Sequence, residues 1–233
     1  ASSGIASLLL PSGRTAHSKF RIPVPTLDDS VCNITQGSDL AELLKVTSLI
    51  IWDEAPMAHK FCFEALDKTL NDIMKISDDS NTVFGGKVVV FGGDFRQILP
   101  VIPRGTRSDI VHATINSSYL WSHCQVFKLT KNLRLQPNSD LAHAIEIANF
   151  AKWILEIGDG SLGQSHDGYS SIEIPKELLI MNYTDPIDAI VKSTYPNLKH
   201  HYKDSEFLQS GAILASTNEI VDHINEYVLS LIP

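Results

Sequence analysis

Four short apolar runs rich in β-branched residues punctuate the chain: Ser48 to Trp52, Lys87 to Phe91, Gln125 to Leu129 and Ala212 to Leu214. Their apolar residues are consecutive rather than alternating, which predicts buried strands of a parallel sheet. Between them, apolar positions recur at helical spacing. Asp39 to Val46 predicts a short helix, and Ala58 to Ile76 a long one with Cys62, Ala65, Leu66, Thr69, Leu70, Ile73 and Met74 along one face. Ser139 to Ile157 predicts another, capped by Ser139 or Asp140. The last runs from Thr217 to Leu231, with Ile220, Val221, Ile224 and Val228 in one stripe and Thr217 or Asn218 at its start. Strands alternating with helices predict an α/β architecture with a mostly parallel sheet. Gly-rich and polar breaks fall at 77–86 and 158–171. The Gln136-Pro137-Asn138-Ser139 turn is the expected domain boundary, because Pro137 disfavours helix at the residue before it and a new helix follows.

Composition adds limits to this outline. The 233 residues are 43% hydrophobic and 20% charged, with nine Phe, six Tyr and three Trp, enough apolar surface for a core and a length suited to one large domain or two small ones. No run approaches the roughly 18 apolar residues of a membrane-spanning helix. Lys+Arg 19 against Asp+Glu 27 leaves a net charge of −8, which removes a broad basic face as a route to nucleic acid and leaves only local contacts. Cys32, Cys62 and Cys124 are odd in number, far apart and without a C-x-x-C pair, so neither a disulfide framework nor a zinc site is indicated and a reducing compartment is expected. His59 with Cys62, and His200 with His201, lack the further ligands of a tetrahedral metal site. The opening Ala1-Ser2-Ser3-Gly4 has no Met and no charged stretch of signal-peptide type, and the close, Leu231-Ile232-Pro233, interrupts an apolar periodic segment. Both ends are expected to be cuts in something longer.

Candidate chemistry gathers where apolar runs end. Leu49-Ile50-Ile51-Trp52 delivers two adjacent carboxylates, Asp53 and Glu54. At the carboxyl end of a strand they would face a ligand crevice, one holding Mg²⁺ and its neighbour polarising an attacking water in nucleoside triphosphate hydrolysis. An acidic helix N-terminus accounts for the same pair equally well. Lys87 to Phe91 runs into Gly92-Gly93-Asp94-Phe95-Arg96-Gln97, where two glycines permit a sharp turn and Asp94, Arg96 and Gln97 are presented at the same sheet edge. A Gln there can sense a γ-phosphate, and a purely structural turn has no need of three polar side chains in four residues. Arg134 follows the third run. It is either a surface arginine in an ion pair or one that enters a phosphate site from a second domain.

In this order the motifs resemble the Pif family (petite integration frequency) of superfamily-one DNA helicases, within it the plant and Helitron-transposon-like subgroup. The resemblance rests on Ala1-Ser2-Ser3-Gly4-Ile5-Ala6-Ser7-Leu8-Leu9-Leu10 with Gly13-Arg14-Thr15-Ala16-His17-Ser18, then Ile51-Trp52-Asp53-Glu54-Ala55-Pro56-Met57. It continues through Val90-Phe91-Gly92-Gly93-Asp94-Phe95-Arg96-Gln97 and Leu129-Thr130-Lys131-Asn132-Leu133-Arg134, and ends with Ile213-Leu214-Ala215-Ser216-Thr217-Asn218-Glu219, where the family usually carries Pro at the position of Ser216. It implies a RecA-like P-loop NTPase fold, with a partial first domain over 1–135 and a partial second over 136–233, and a monomeric motor moving 5′ to 3′ on single-stranded DNA and DNA junctions. By the resemblance ATP is the substrate and Mg²⁺ the cofactor. Asp53 would serve the metal, Glu54 the catalytic water, Asp94 and Gln97 the nucleotide, and Arg134 would be the arginine finger. Ser2, Ser3 and Gly4 with Thr15, His17 and Ser18 would touch the DNA backbone through hydroxyls and main-chain N–H groups, which suits a chain of net charge −8. Capping of a helix over Ile5 to Leu10 by Ser2 or Ser3, and a packing role for His17, stay open beside these. DNA repair, recombination and telomere maintenance, or mobile-element replication, in the nucleus or the mitochondrion, complete what the resemblance implies.

Two departures go with it. No G-x-x-x-x-G-K-[ST] occurs, since Gly85-Gly86-Lys87-Val88 has neither the first Gly nor the closing hydroxyl, and the family's later motifs do not occur before Pro233. The expectation is an internal fragment, inactive by itself, of an ATP-dependent helicase. The alternatives are a degenerate, non-catalytic remnant that binds single-stranded DNA weakly, and a P-loop ATPase acting on RNA or protein.

Overall fold

The computed structural model describes residues 1–75, 81–135, 141–163 and 171–233, the side chains of Arg134 and of residues 141–143 excepted. Two compact units result, Ala1–Leu162 and Gly163–Pro233. The expected boundary turn at 136–139 and the cap at Ser139 or Asp140 lie outside the described residues.

The first unit runs α1 (Gly4–Ser7), α2 (Ala16–Phe20), α3 (Asp39–Val46), β1 (Leu49–Trp52), α4 (Lys60–Met74), β2 (Val88–Phe91), α5 (Arg107–Ala113) and α6 (Leu141–Gly158). β1 and β2 pair in parallel, Leu49 opposite Val88 and Trp52 opposite Phe91. Parallel strands need a crossover, and α4 is the helix within it. Its apolar stripe packs on the inner face of the pair. The Phe63 ring lies 4.6 Å from Trp52 and 5.3 Å from Phe91, and Phe20 stacks on Trp52 at 5.9 Å. His59 opens the helix by accepting from Phe61 N–H at 3.2 Å, two residues later than expected, and Lys75 closes it in the left-handed region at φ 56°.

Two expectations are corrected. The strands are covered on one face only: Ile50 and Trp52 are buried, whereas Leu49, Ile51, Val88 and Val90 are about half exposed. The runs at 125–129 and 212–214 form no strand. Among the described residues the sheet has two strands. Apolar β-branched composition supplies propensity, but a strand exists only where a neighbour supplies the ladder, and Phe127 and Leu129 are 79% and 102% exposed.

α4 also buries polar groups that an apolar-face reading passes over. Glu64 accepts from the Ser118 hydroxyl at 2.6 Å, and Asp67 accepts from Tyr119 O–H at 2.6 Å and from Phe84 N–H. Thr69 Oγ1 donates to Ala65 C=O at 2.7 Å and accepts from Cys32 N–H at 2.8 Å. Each polar atom is partnered, so burial carries no uncompensated desolvation cost.

The second unit is helical: α7 (Pro186–Thr194), α8 (Leu198–His201), α9 (Ser205–Gln209) and α10 (Asn218–Leu231). Asp185 caps α7, and Thr217 caps α10 at the expected place, accepting from Ile220 N–H. Tyr227 O–H donates to Asp188 at 2.6 Å, joining α10 to α7.

Burial raises the Cys32 thiol from its usual value near 9 to about 11, outweighing the hydrogen bond from Thr69 that lowers it. The unfolded chain therefore ionises first. Stability linked to Cys32 is complete below pH 9 and is lost as pH rises from about 9 to about 11, by about 2 kcal/mol. Urea unfolding across that range is expected to show the fall, and Cys32→Ala to reduce it.

Candidate functional site

Where β1 ends the ladder does not. Gly92 N–H donates to Trp52 C=O at 2.9 Å, and Ala55 N–H donates to Gly92 C=O at 2.8 Å. The pairing thus extends past both strands and holds Asp53 against Gly92, on which a Cβ would lie 3.1 Å from Asp53 Oδ1. Asp53 Oδ1 accepts from Glu54 N–H at 3.0 Å. Glu54 itself sits in the left-handed region, φ 53° and ψ 40°, before the short turn Ala55–Met57. Both acids are half-buried. Glu54 is the N-cap residue of the short 3-10 turn Ala55–Met57 but makes no side-chain cap bond, and the first turn of α4 holds no acid.

The second segment turns sharply against the first. At Gly93, φ 153°, a Cβ would meet Pro56 Cδ at 2.2 Å, so the backbone passes where no side chain fits. Asp94 spends part of its carboxylate on its own turn, Oδ1 accepting from Arg96 N–H at 2.9 Å, while Gln97 N–H donates to Asp94 C=O at 3.1 Å. That portion of the motif's polarity is structural. The Gln97 side chain is exposed beside it.

The N-terminal segment docks on the same strand end. Ser2 N–H donates to Asp53 C=O at 3.0 Å, and Trp52 Nε1–H donates to Ser2 Oγ at 2.9 Å. Ser3 caps α1 and Thr15 caps α2, accepting from Ala6 N–H at 3.1 Å and Ser18 N–H at 3.3 Å. Ala16 N–H donates to Ala1 C=O at 2.8 Å, drawing the two segments together. Capping is therefore real for Ser3, yet each capping hydroxyl keeps its own O–H to donate. Gly4 and Ser18 are exposed. His17 Nε2 lies 3.8 Å from Cys62 Sγ, and burial lowers its pKa, the signature of a packed, neutral imidazole.

Arg134 belongs to the turn Leu133–Leu135, and its side chain lies outside the described residues. Sequence reasoning missed two partners. One is the Trp52 indole, which looks like plain core and serves as a donor to Ser2. The other is Asp159, whose carboxylate accepts from Arg96 Nε at 2.6 Å; its signal was the Gly158-Asp159-Gly160 sequence closing an apolar helix.

Residues 1–168 match the family model described as PIF1-like helicase. The chain is 31% identical over 151 residues to the ATP-dependent DNA helicase RRM3 of Saccharomyces cerevisiae, covering 62% of this chain and 20% of that protein. It is 28% identical over 138 residues to the ATP-dependent DNA helicase Pif1 of a Psychrobacter species, covering 58% and 20%. The chain thus spans about one fifth of the length of these curated relatives. Among solved structures, Bacteroides Pif1 bound to ssDNA superposes with a TM-score of 0.53 at 22% identity, over 69% of this chain and 36% of that one. A structure described as two coordinating Pif1 helicases on forked dsDNA gives 0.50 at 24%, over 65% and 37%. The fold is the α/β, RecA-like fold of those helicases.

Gly93→Ala is expected to lower stability by about 1–3 kcal/mol, because Pro56 occupies the space of the added methyl. Denaturant unfolding checks it; a change under a few tenths of a kcal/mol would mean that the turn moves away freely.

Proposed function

The chain belongs to the PIF1-like helicase family, and we propose from that premise that the whole protein carrying it is an ATP-dependent DNA helicase moving 5′ to 3′ on single-stranded DNA. The observation that carries this reading is the ladder extended past Trp52 and Phe91, which sets Asp53 and Glu54 beside the Gly92–Gln97 turn. Two carboxylates on adjacent residues offer hard oxygen donors suited to a small divalent cation, and Gly92 leaves open the space over Asp53 Oδ1 that a Cβ would fill. The residues fit a magnesium–nucleotide site. A magnesium ion, when bound with ATP, supplies charge neutralisation at the phosphates.

In this reading Asp53 holds that ion, and Glu54, projecting from its left-handed backbone, orients and polarises the attacking water. Gln97 hydrogen-bonds the γ-phosphate, with Asp94 stiffening the turn that carries it. Arg134, just before the domain boundary proposed at residue 136, stabilises charge on the transferring phosphoryl group. Ser2 to Gly4 and Thr15 to Ser18 donate hydroxyl and main-chain N–H groups to the phosphates of one DNA strand, and the Trp52–Ser2 bond ties that grip to the acidic strand end. The stretch contains no G-x-x-x-x-G-K-[ST], so catalysis is assigned to the whole protein, and the 233 residues alone are expected to release no phosphate. Work on junctions in repair, recombination and telomere maintenance, or in mobile-element replication, as a nuclear or mitochondrial monomer, completes the proposal.

In the whole protein, Glu54→Gln is expected to cut DNA-stimulated phosphate release by about a hundredfold or more while single-strand binding persists. Duplexes with a 5′ tail are expected to unwind and those with a 3′ tail to stay closed. Hydrolysis undiminished in Glu54→Gln would overturn the assignment.

A further inference from the structure

The Gly92–Gln97 turn is fastened to a helix far along the chain. Arg96 Nε donates to Asp159 Oδ1 at 2.6 Å across 63 residues of sequence, and Nη1 of the same guanidinium lies 3.7 Å from Asp94 Oδ1. Asp159 directly follows α6. The last turn there is closed by Asp159 N–H to Leu155 C=O at 2.9 Å, Gly160 N–H to Ile157 C=O at 3.0 Å and Ser161 N–H to Glu156 C=O at 2.9 Å.

A second, independent observation concerns Gly158, the final residue of α6. A Cβ there would lie 2.9 Å from Arg96 Cδ and 3.0 Å from Arg96 Cβ. The arginine stem therefore lies directly on the helix backbone, and the helix ends on the residue type that permits it. With both side chains nearly half exposed, 44% and 47%, such a pair contributes little to stability. What it supplies is geometry: a planar guanidinium between two carboxylates fixes their separation and orientation, which a lysine's single ammonium does not.

We propose that Arg96 is a positioning residue that makes the Asp94–Gln97 turn and the C-terminal end of α6 move as one body, so that the nucleotide state sensed at Gln97 reaches α6. The inference rests on the role proposed above for Gln97. The turn has few ways to respond to a γ-phosphate, because its near side is held by the Trp52–Gly92–Ala55 ladder and by Pro56 against Gly93. Its far side carries Phe95, edge-on to Trp121 at 6.0 Å, and Arg96, and a shift at Arg96 is passed to Asp159 and to the Gly158 backbone. α6 is thus biased by a contact made outside the site that reads the nucleotide.

Amide hydrogen exchange tests this in two steps. In the 233-residue chain without nucleotide, Arg96→Asp is expected to speed exchange at Asp159, Gly160 and Ser161 about fivefold, with the α4 amides unchanged. The charge-swapped pair Arg96→Asp with Asp159→Arg is expected to restore it. No acceleration, or no restoration, overturns the tie. In the whole protein, a non-hydrolysable Mg-ATP analogue is expected to slow exchange both in the turn and at 158–161, and Arg96→Ala to retain the first response and lose the second. A second response that survives in Arg96→Ala, or a wild-type response confined to the turn, overturns the inference and leaves the nucleotide reading standing. Silence at both segments in wild type overturns the nucleotide reading and the coupling with it.

Discussion

The parallel pairing of β1 with β2 runs one step beyond the strands, through Gly92 N–H to Trp52 C=O and Ala55 N–H to Gly92 C=O, and the rest of the first unit is arranged around that step. It requires a residue without a side chain where the second segment crosses Pro56, which Gly93 supplies, and leaves little room for one where it crosses Asp53, at Gly92. It also requires Trp52 to stand still. The indole does so because Phe20, Phe63 and Phe91 surround its ring while its N–H is spent on Ser2. Buried aromatic packing of this kind contributes several kcal/mol, and here it fixes the position of the proposed nucleotide edge as well as a core.

Placing the polar chemistry at the margin of an apolar ladder is what would let an acidic chain act on nucleic acid in the proposed way. The N-terminal segment meets the strand end through backbone and hydroxyl hydrogen bonds, with Ser3 and Thr15 each accepting from a helix N–H and keeping a proton to donate. Phosphate can be held by such groups without a basic face. The acidic pair and the hydroxyl segments share Trp52 and Asp53 as common supports, Ser2 touching both. A displacement at one is therefore felt at the other within a single packed neighbourhood.

Much of this was legible in sequence, and the reasons are local. α3 is found over Asp39–Val46 as its periodicity predicts, β1 and β2 lie within their apolar runs, and α10 starts at its Thr217 cap. The gathering of Asp53, Glu54 and Gly92–Gln97 at one edge followed from parallel strands ending together. Illegible were features that depend on partners distant in sequence. An apolar run such as 125–129 records what a strand would be made of, not whether a neighbour stands beside it. Glu64 and Asp67, which look like solvent-facing helix positions, are buried because Ser118 and Tyr119 come from some fifty residues away to satisfy them. The bond from Arg96 to Asp159 belongs to the same class, as does the split character of Asp94, half structural and half available.

The central claim is that the extended ladder builds a nucleotide-hydrolysing edge from Asp53, Glu54 and Gln97. A crystal structure of the whole protein with Mg²⁺, ADP and aluminium fluoride measures it most directly. The account predicts the metal at Asp53, a water held by Glu54 and the fluoride complex within hydrogen-bonding reach of Gln97. Nucleotide bound away from the ends of β1 and β2, with Asp53 and Gln97 free of it, would contradict the account.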